Sequence, residues 1–94
     1  MSGNIKINPD IAQGVAGKFG QNASQLDAII SSLNSQVASN VGTGKPGWEG
    51  RQASEFENSW NTEFKPSLTK LRDALTGAQD LLNKTIQAYR TLDS

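Results

Sequence analysis

Two short constellations carry most of the chemical information in this chain. Trp48-Glu49-Gly50 sets an indole, a carboxylate and a glycine side by side near the midpoint, and Tyr89-Arg90-Thr91-Leu92-Asp93 sets a phenol and a carboxylate four residues apart. On a helix that second spacing places both groups on one face. Bond-making chemistry has little to draw on. Cysteine and histidine are both absent, which removes thiolate nucleophiles, disulfide staples, imidazole acid-base pairs and most zinc sites. Glu55, Glu57, Glu63, Lys70 and Asp80 fall on the outward faces of the expected helices, where nothing forms the concave, pKa-shifting surroundings that a catalytic carboxylate needs. The chain reads as a non-enzyme, and no cofactor or metal is implied. Each constellation also has a plain structural reading. Trp48 can close the end of a bundle with Gly50 serving a turn, while Tyr89 can be a last core residue and Asp93 a solvated charge.

The elements that would position these groups follow from apolar spacing. Asn8-Pro9-Asp10 is a helix start, with Asn8 as N-cap, Pro9 where its missing N–H costs nothing and Asp10 at the positive end of the dipole. From there Ile11, Val15, Phe19, Ala23, Leu26, Ile30, Leu33, Val37 and Val41 recur in steps of 3 or 4, a helical period and not a strand alternation. Gly14, Gly17 and Gly20 weaken the first turns. They imply close approach to a neighbouring helix or a loosely held beginning. A phosphate cradle would need a preceding strand and a glycine loop ahead of the helix. Gly42-Thr43-Gly44-Lys45-Pro46-Gly47 then breaks the pattern. A second run follows through Ala53, Phe56, Trp60, Phe64, Leu68, Leu71, Leu75, Ala78, Leu82, Ile86, Tyr89 and Leu92. The expectation is one domain over 1–94: a first helix about 9–40, a glycine-rich turn 41–50 and a second helix about 51–92, with a kink near Pro66 where a backbone hydrogen bond is lost.

Helices of roughly 30 and 40 residues extend about 45 and 60 Å, and joined by a short turn they make an all-α antiparallel hairpin. Such a hairpin buries one seam only, and in 94 residues that is a thin core. Ala12, Ala16, Ile29, Ala74, Leu81 and Ala88 widen the apolar face beyond the seam, enough to receive a second hairpin and close an elongated four-helix bundle. Ile30, Leu33, Phe56, Trp60, Phe64, Leu71 and Leu82 are the expected core and dimer-packing residues. Basic and acidic residues balance at 9 each, which leaves no nucleic-acid footprint. The same balance, without a basic face, argues against a membrane-active amphipathic helix. The first residues lack the apolar run of a cleavable signal peptide, and no stretch approaches the length of a membrane span.

Taken in order, Ile5-Lys6-Ile7-Asn8-Pro9-Asp10 at the opening, Trp48 and Gly50 at the turn, Phe56 soon after, and Tyr89 with Asp93 near the end resemble the WXG family. These are hundred-residue helical hairpins exported by the type VII secretion systems of mycobacteria and Gram-positive bacteria, and the resemblance spans nearly the whole chain. It implies a protein made in the bacterial cytoplasm and secreted without a cleavable signal peptide. Its implied partners are itself or a related hairpin and a type VII secretion ATPase, and Trp48, Gly50, Tyr89 and Asp93 would form the export-recognition surface. Trp48 is 39 residues from Pro9 and 41 from Tyr89, so one hairpin holds turn and ends at opposite poles. Antiparallel pairing would bring the Tyr89 and Asp93 of one copy beside the Trp48 and Gly50 of the other. An intracellular adaptor or targeting chaperone for a larger secreted toxin is the alternative reading.

Overall fold

A computed structural model of the protein describes residues 7–93. Its first helix, α1, runs Pro9–Asn40. Asn8 caps it in extended conformation, its side-chain oxygen accepting from the backbone N–H of Asp10 at 3.1 Å and of Ile11 at 3.2 Å. Two of the donors that a helix start leaves orphaned are thereby satisfied. At the far end Val41 turns extended, and the chain reverses through a loop closed by its own backbone. Trp48 N–H donates to Asn40 O at 2.7 Å, and Gly42 N–H donates to Trp48 O at 2.8 Å. This approach is tight enough to require glycine at 47, where a Cβ would stand 2.7 Å from Asn40 O.

The return arm is one helical rod in three registers: α2 over Arg51–Ser59, a π-turn over Trp60–Phe64 and α3 over Lys65–Asp93. The backbone stays right-handed helical through Ser59, Trp60 and Lys65. Across the π-turn Lys65 N–H reaches back five residues to Trp60 O, so one extra residue is wound into the rod. The irregularity thus directly precedes Pro66, which sits at the start of α3. Among the described residues Pro9–Asn40 and Lys65–Asp93 make the main contact of an antiparallel hairpin 63 × 22 × 14 Å in extent, an all-α architecture.

The seam between the arms is regular and narrow. From α1 the buried side chains are Ala16, Ala23, Ile30 and Val37, seven residues apart, a coiled-coil repeat. Ala53, Trp60 and Ile86 are buried opposite. Leu68, Arg72, Leu75, Gln79, Leu82 and Tyr89 complete the α3 side, each half-buried. Trp60 donates its indole N–H to Asn34 Oδ1 at 3.0 Å, and Lys65 Nζ meets the same oxygen at 3.2 Å. That shared acceptor pins the π-turn to α1.

The single apolar stripe expected for the second arm divides in two. Trp60 lies inward, with Leu82 half-buried beside the seam, whereas Phe56, Phe64 and Leu71 are exposed, as is Leu33 on α1. The cause is phase. Inward residues Ala53, Trp60, Leu68, Leu75, Leu82 and Tyr89 and outward residues Phe56, Phe64 and Leu71 each step by seven, save one step of eight across the π-turn. Steps of 3 and 4 interleave these two rows into one apparent stripe. Of the early glycines, Gly20 lies against the Gln79 side-chain amide, while Gly14 and Gly17 face open space.

Candidate functional site: two motifs at opposite poles

Trp48 is held by its backbone and free at its side chain. Both its N–H and its carbonyl are engaged in the loop closure, yet the side chain is 44% exposed. Its ring stands 5.8 Å from that of Phe56, which in turn stands 6.3 Å from Phe64. The three tilted rings make an exposed ladder running from the turn along the return arm, in the geometry aromatic pairs favour. Glu49 steadies the loop by accepting from Gly44 N–H at 2.9 Å.

Gly50 has a physical reason to be glycine. Its φ of 117° with ψ of −179° lies in a region open essentially to glycine alone. From that conformation its carbonyl accepts from Ser54 N–H at 3.0 Å, opening α2. The aromatic and the glycine of the Trp48-Glu49-Gly50 triplet therefore do separate work: one presents surface, the other allows the chain to enter a helix immediately behind it.

Tyr89 is half-buried on the last seam turn of α3, and Asp93 closes that helix with its side chain outside the described part of the structure. Between them Arg90 donates from Nη2 to Gln13 Oε1 at 3.2 Å and stands 3.6 Å from Asp10 Oδ1. Residues 1–6, and with them Ile5 and Lys6 of the opening segment, lie outside the described residues. Within one chain Trp48 and Gly50 sit at the turn and Tyr89 at the end of α3, beside the start of α1. The long axis of the molecule separates them, and no common site forms in cis.

The two broad sides of the hairpin differ in character. Ile11, Val15, Ile29 and Leu33 on α1, and Phe56, Phe64, Leu71 and Leu81 on the return arm, are exposed apolar residues. On each arm they lie to the same rotational side of the seam, viewed from that helix's own N-terminus, so in an antiparallel pair they converge on one side. The opposite side carries an open polar cleft of about 310 Å³ lined by Gly20, Ala23, Ser24, Asp27, Arg72, Thr76 and Gln79. In it Arg72 bridges Asp27 on α1 and its own neighbour Asp73. Hydrogen bonds that the guanidinium donates to Asp27 and then to Asp73 hold its pKa above its ordinary value. Sequence spacing did not reveal this cluster, because Arg72 and Gln79 occupy seam positions where an apolar residue is the default. The one available signal was the 4-3 repeat running through them. No group of side chains suited to hold a metal occurs among the described residues, and no described helix is long and apolar enough to cross a membrane.

Searches of curated proteins and of solved structures gave no match. A family model did: "Proteins of 100 residues with WXG" matches residues 4–94. The family comprises small helical proteins associated with type VII secretion, whose hairpins are known to pair. The match runs from ahead of the Asn8 cap, through the exposed Trp48 and the positive-φ Gly50, to the end of α3, and over that span this chain is a member of the WXG100 family.

Proposed function

We propose that this protein is a secreted substrate or co-substrate of a type VII secretion system, working without catalysis as one half of a helical-hairpin pair. The observation that carries the reading is the exposed apolar side of the hairpin. Phe56 at 36%, Phe64 at 47% and Leu71 at 51% exposure continue the Trp48 ladder along the return arm, with Leu33 and Ile29 beside them on α1. A monomer gains nothing from leaving such a contiguous patch in water, whereas a second hairpin covers it. The partner is a second copy or a related hairpin, and neither nucleic acid nor membrane takes part.

Export recognition rests on Trp48, Gly50, Tyr89 and Asp93. Antiparallel pairing sets the Trp48-Gly50 pole of one chain beside the Tyr89-Asp93 pole of the other, building from two copies a surface that one chain holds apart. A secretion ATPase then reads only assembled pairs, and the protein leaves the bacterial cytoplasm folded. Light scattering on the eluted pure protein tests the pairing, with a mass near twice 10.1 kDa expected for self-association. Secretion of Tyr89→Ala tests the recognition: it should stay in the cells while remaining helical and paired. A protein found only inside cells, bound to a larger toxin, would establish the adaptor reading instead.

A further inference from the structure

We propose that Arg90 is a positioning residue for the recognition segment at the end of α3, pinning that segment to the first turns of α1. This rests on the reading that Tyr89 and Asp93 belong to the recognition surface. Apolar packing stops short of the segment's end: among the described residues Ile86 is the last buried side chain, Tyr89 is half-buried, and Leu92 is 87% exposed. The last carbonyls of a helix have no partners within it, so its final turn frays unless something ties it down. Arg90 is the only basic residue in that turn. It reaches across the seam to Gln13 Oε1 at 3.2 Å and to Asp10 Oδ1 at 3.6 Å, on residues 77 and 80 positions away in the chain. The receiving end is itself anchored, since Asn8 caps α1 and Pro9 fixes its first backbone angle.

Electrostatics favour this arrangement from both sides. A cation at the C-terminal end of α3 and an anion at the N-terminal end of α1 each complement the dipole of their own helix, and antiparallel packing makes the two ends neighbours. Arg90 thus couples the order of the C-terminal motif to the integrity of the α1 start, a dependence that the motif's own residues do not reveal. Its contacts are exposed, so each is weak and the effect is local ordering, not global stability.

The test is a double-mutant cycle on the full chain, read by amide hydrogen exchange and by export. Arg90→Ala should speed exchange of the Tyr89–Asp93 amides about two- to fivefold, leave Ile30 and Val37 unchanged, and lower the exported fraction by a similar factor. Gln13→Glu turns the neutral acceptor into a charged one. It should slow exchange of the same amides in the wild-type background and have no such effect beside Arg90→Ala, a coupling that a purely structural role for α1 would not produce. Unchanged exchange in Arg90→Ala, or altered exchange with undiminished export, overturns the proposal. Normal export of Tyr89→Ala would instead refute the recognition reading, while the exchange cycle still decides whether the clamp exists.

Discussion

Removing one residue from the π-turn should separate its two possible causes, the proline that follows it and the phase of the apolar rows. Thr62 is the residue to delete. It is exposed, and its Oγ1 donates only to Asn58 O one turn back at 2.9 Å, so its loss removes no contact with α1. Without it the steps from Trp60 to Leu68 and from Phe56 to Phe64 both fall from eight to seven, and an unbroken α-helix keeps both rows in place. Pro66 then becomes the obstacle. Set in a regular α register, its ring meets the carbonyl four residues back and one hydrogen bond is lost, at a cost of about 3 kcal/mol. The π-turn of the native rod ends just before Pro66 and leaves the proline in the opening turn of α3, where it is tolerated. Deletion of Thr62 alone should therefore destabilise by about 3 kcal/mol, less whatever the π-turn itself costs. Pro66→Ala alone should change stability by less than about 1 kcal/mol, and the double variant should return close to wild type, a coupling of about 2–3 kcal/mol. Urea unfolding at one fixed protein concentration measures all four forms, the concentration being held because any pairing would contribute to the apparent stability. If Pro66→Ala alone stabilised by the full helix-interior amount, the π-turn would not be relieving the proline. If the double variant failed to fold, the two-row account of the return arm would be wrong.

Three further outcomes follow from the same geometry. Gly50→Ala forces a side chain into a φ of 117° and should cost about 1–3 kcal/mol in urea unfolding; a neutral result would mean that α2 can begin from a different conformation. Gly14→Ala and Gly17→Ala meet no neighbouring atoms, and each should stabilise by up to about 1 kcal/mol in thermal unfolding. Loss of stability there would show that the outer side of α1 is covered in the working assembly. Phe64→Ala should weaken pairing about tenfold in sedimentation equilibrium, as expected from the apolar area still exposed in the single chain, with helix content by circular dichroism unchanged.

How much of this was legible beforehand differs from residue to residue. Local rules were enough at the helix start, because Asn8, Pro9 and Asp10 act through contacts within one turn, and the glycine-rich loop broke the pattern unmistakably. Seam and flank could not be told apart in the same way. Trp60 and Phe64 look alike as aromatic residues four apart, yet the π-turn sends one inward and the other to the surface. That outcome depends on an extra residue compensated between Ala53 and Leu75, which becomes visible only when a partner helix fixes the reference direction. Arg72 and Gln79 were missed for a related reason: a polar side chain in a seam is tolerable when a small residue stands opposite, and what stands opposite is a tertiary fact. For the proposed recognition residues, sequence placed Trp48 and Tyr89 at opposite poles from chain length alone. It could not show that Gly50 is compelled by backbone geometry, or that Arg90 ties the second motif to α1.

The composition of the seam explains why the exposed side exists at all. Among the described residues, three of the seven buried hydrophobic side chains are alanines, Ala16, Ala23 and Ala53. Small side chains at repeating seam positions let the two backbones approach closely, and among the described residues Trp60 is the single aromatic side chain buried there. Phe56, Phe64, Leu71, Leu33 and Ile29 stand on the flank. A hairpin packed in this way gains order from its narrow seam but buries little apolar area for its length, and the pairing proposed above would cover the surface it leaves exposed. Enlarging the seam would undo this arrangement. With leucine in place of Ala16 and Ala23 the arms would separate, the aromatic ladder would shift relative to α1, and any gain in intrachain burial would come with a loss of fit to the second hairpin.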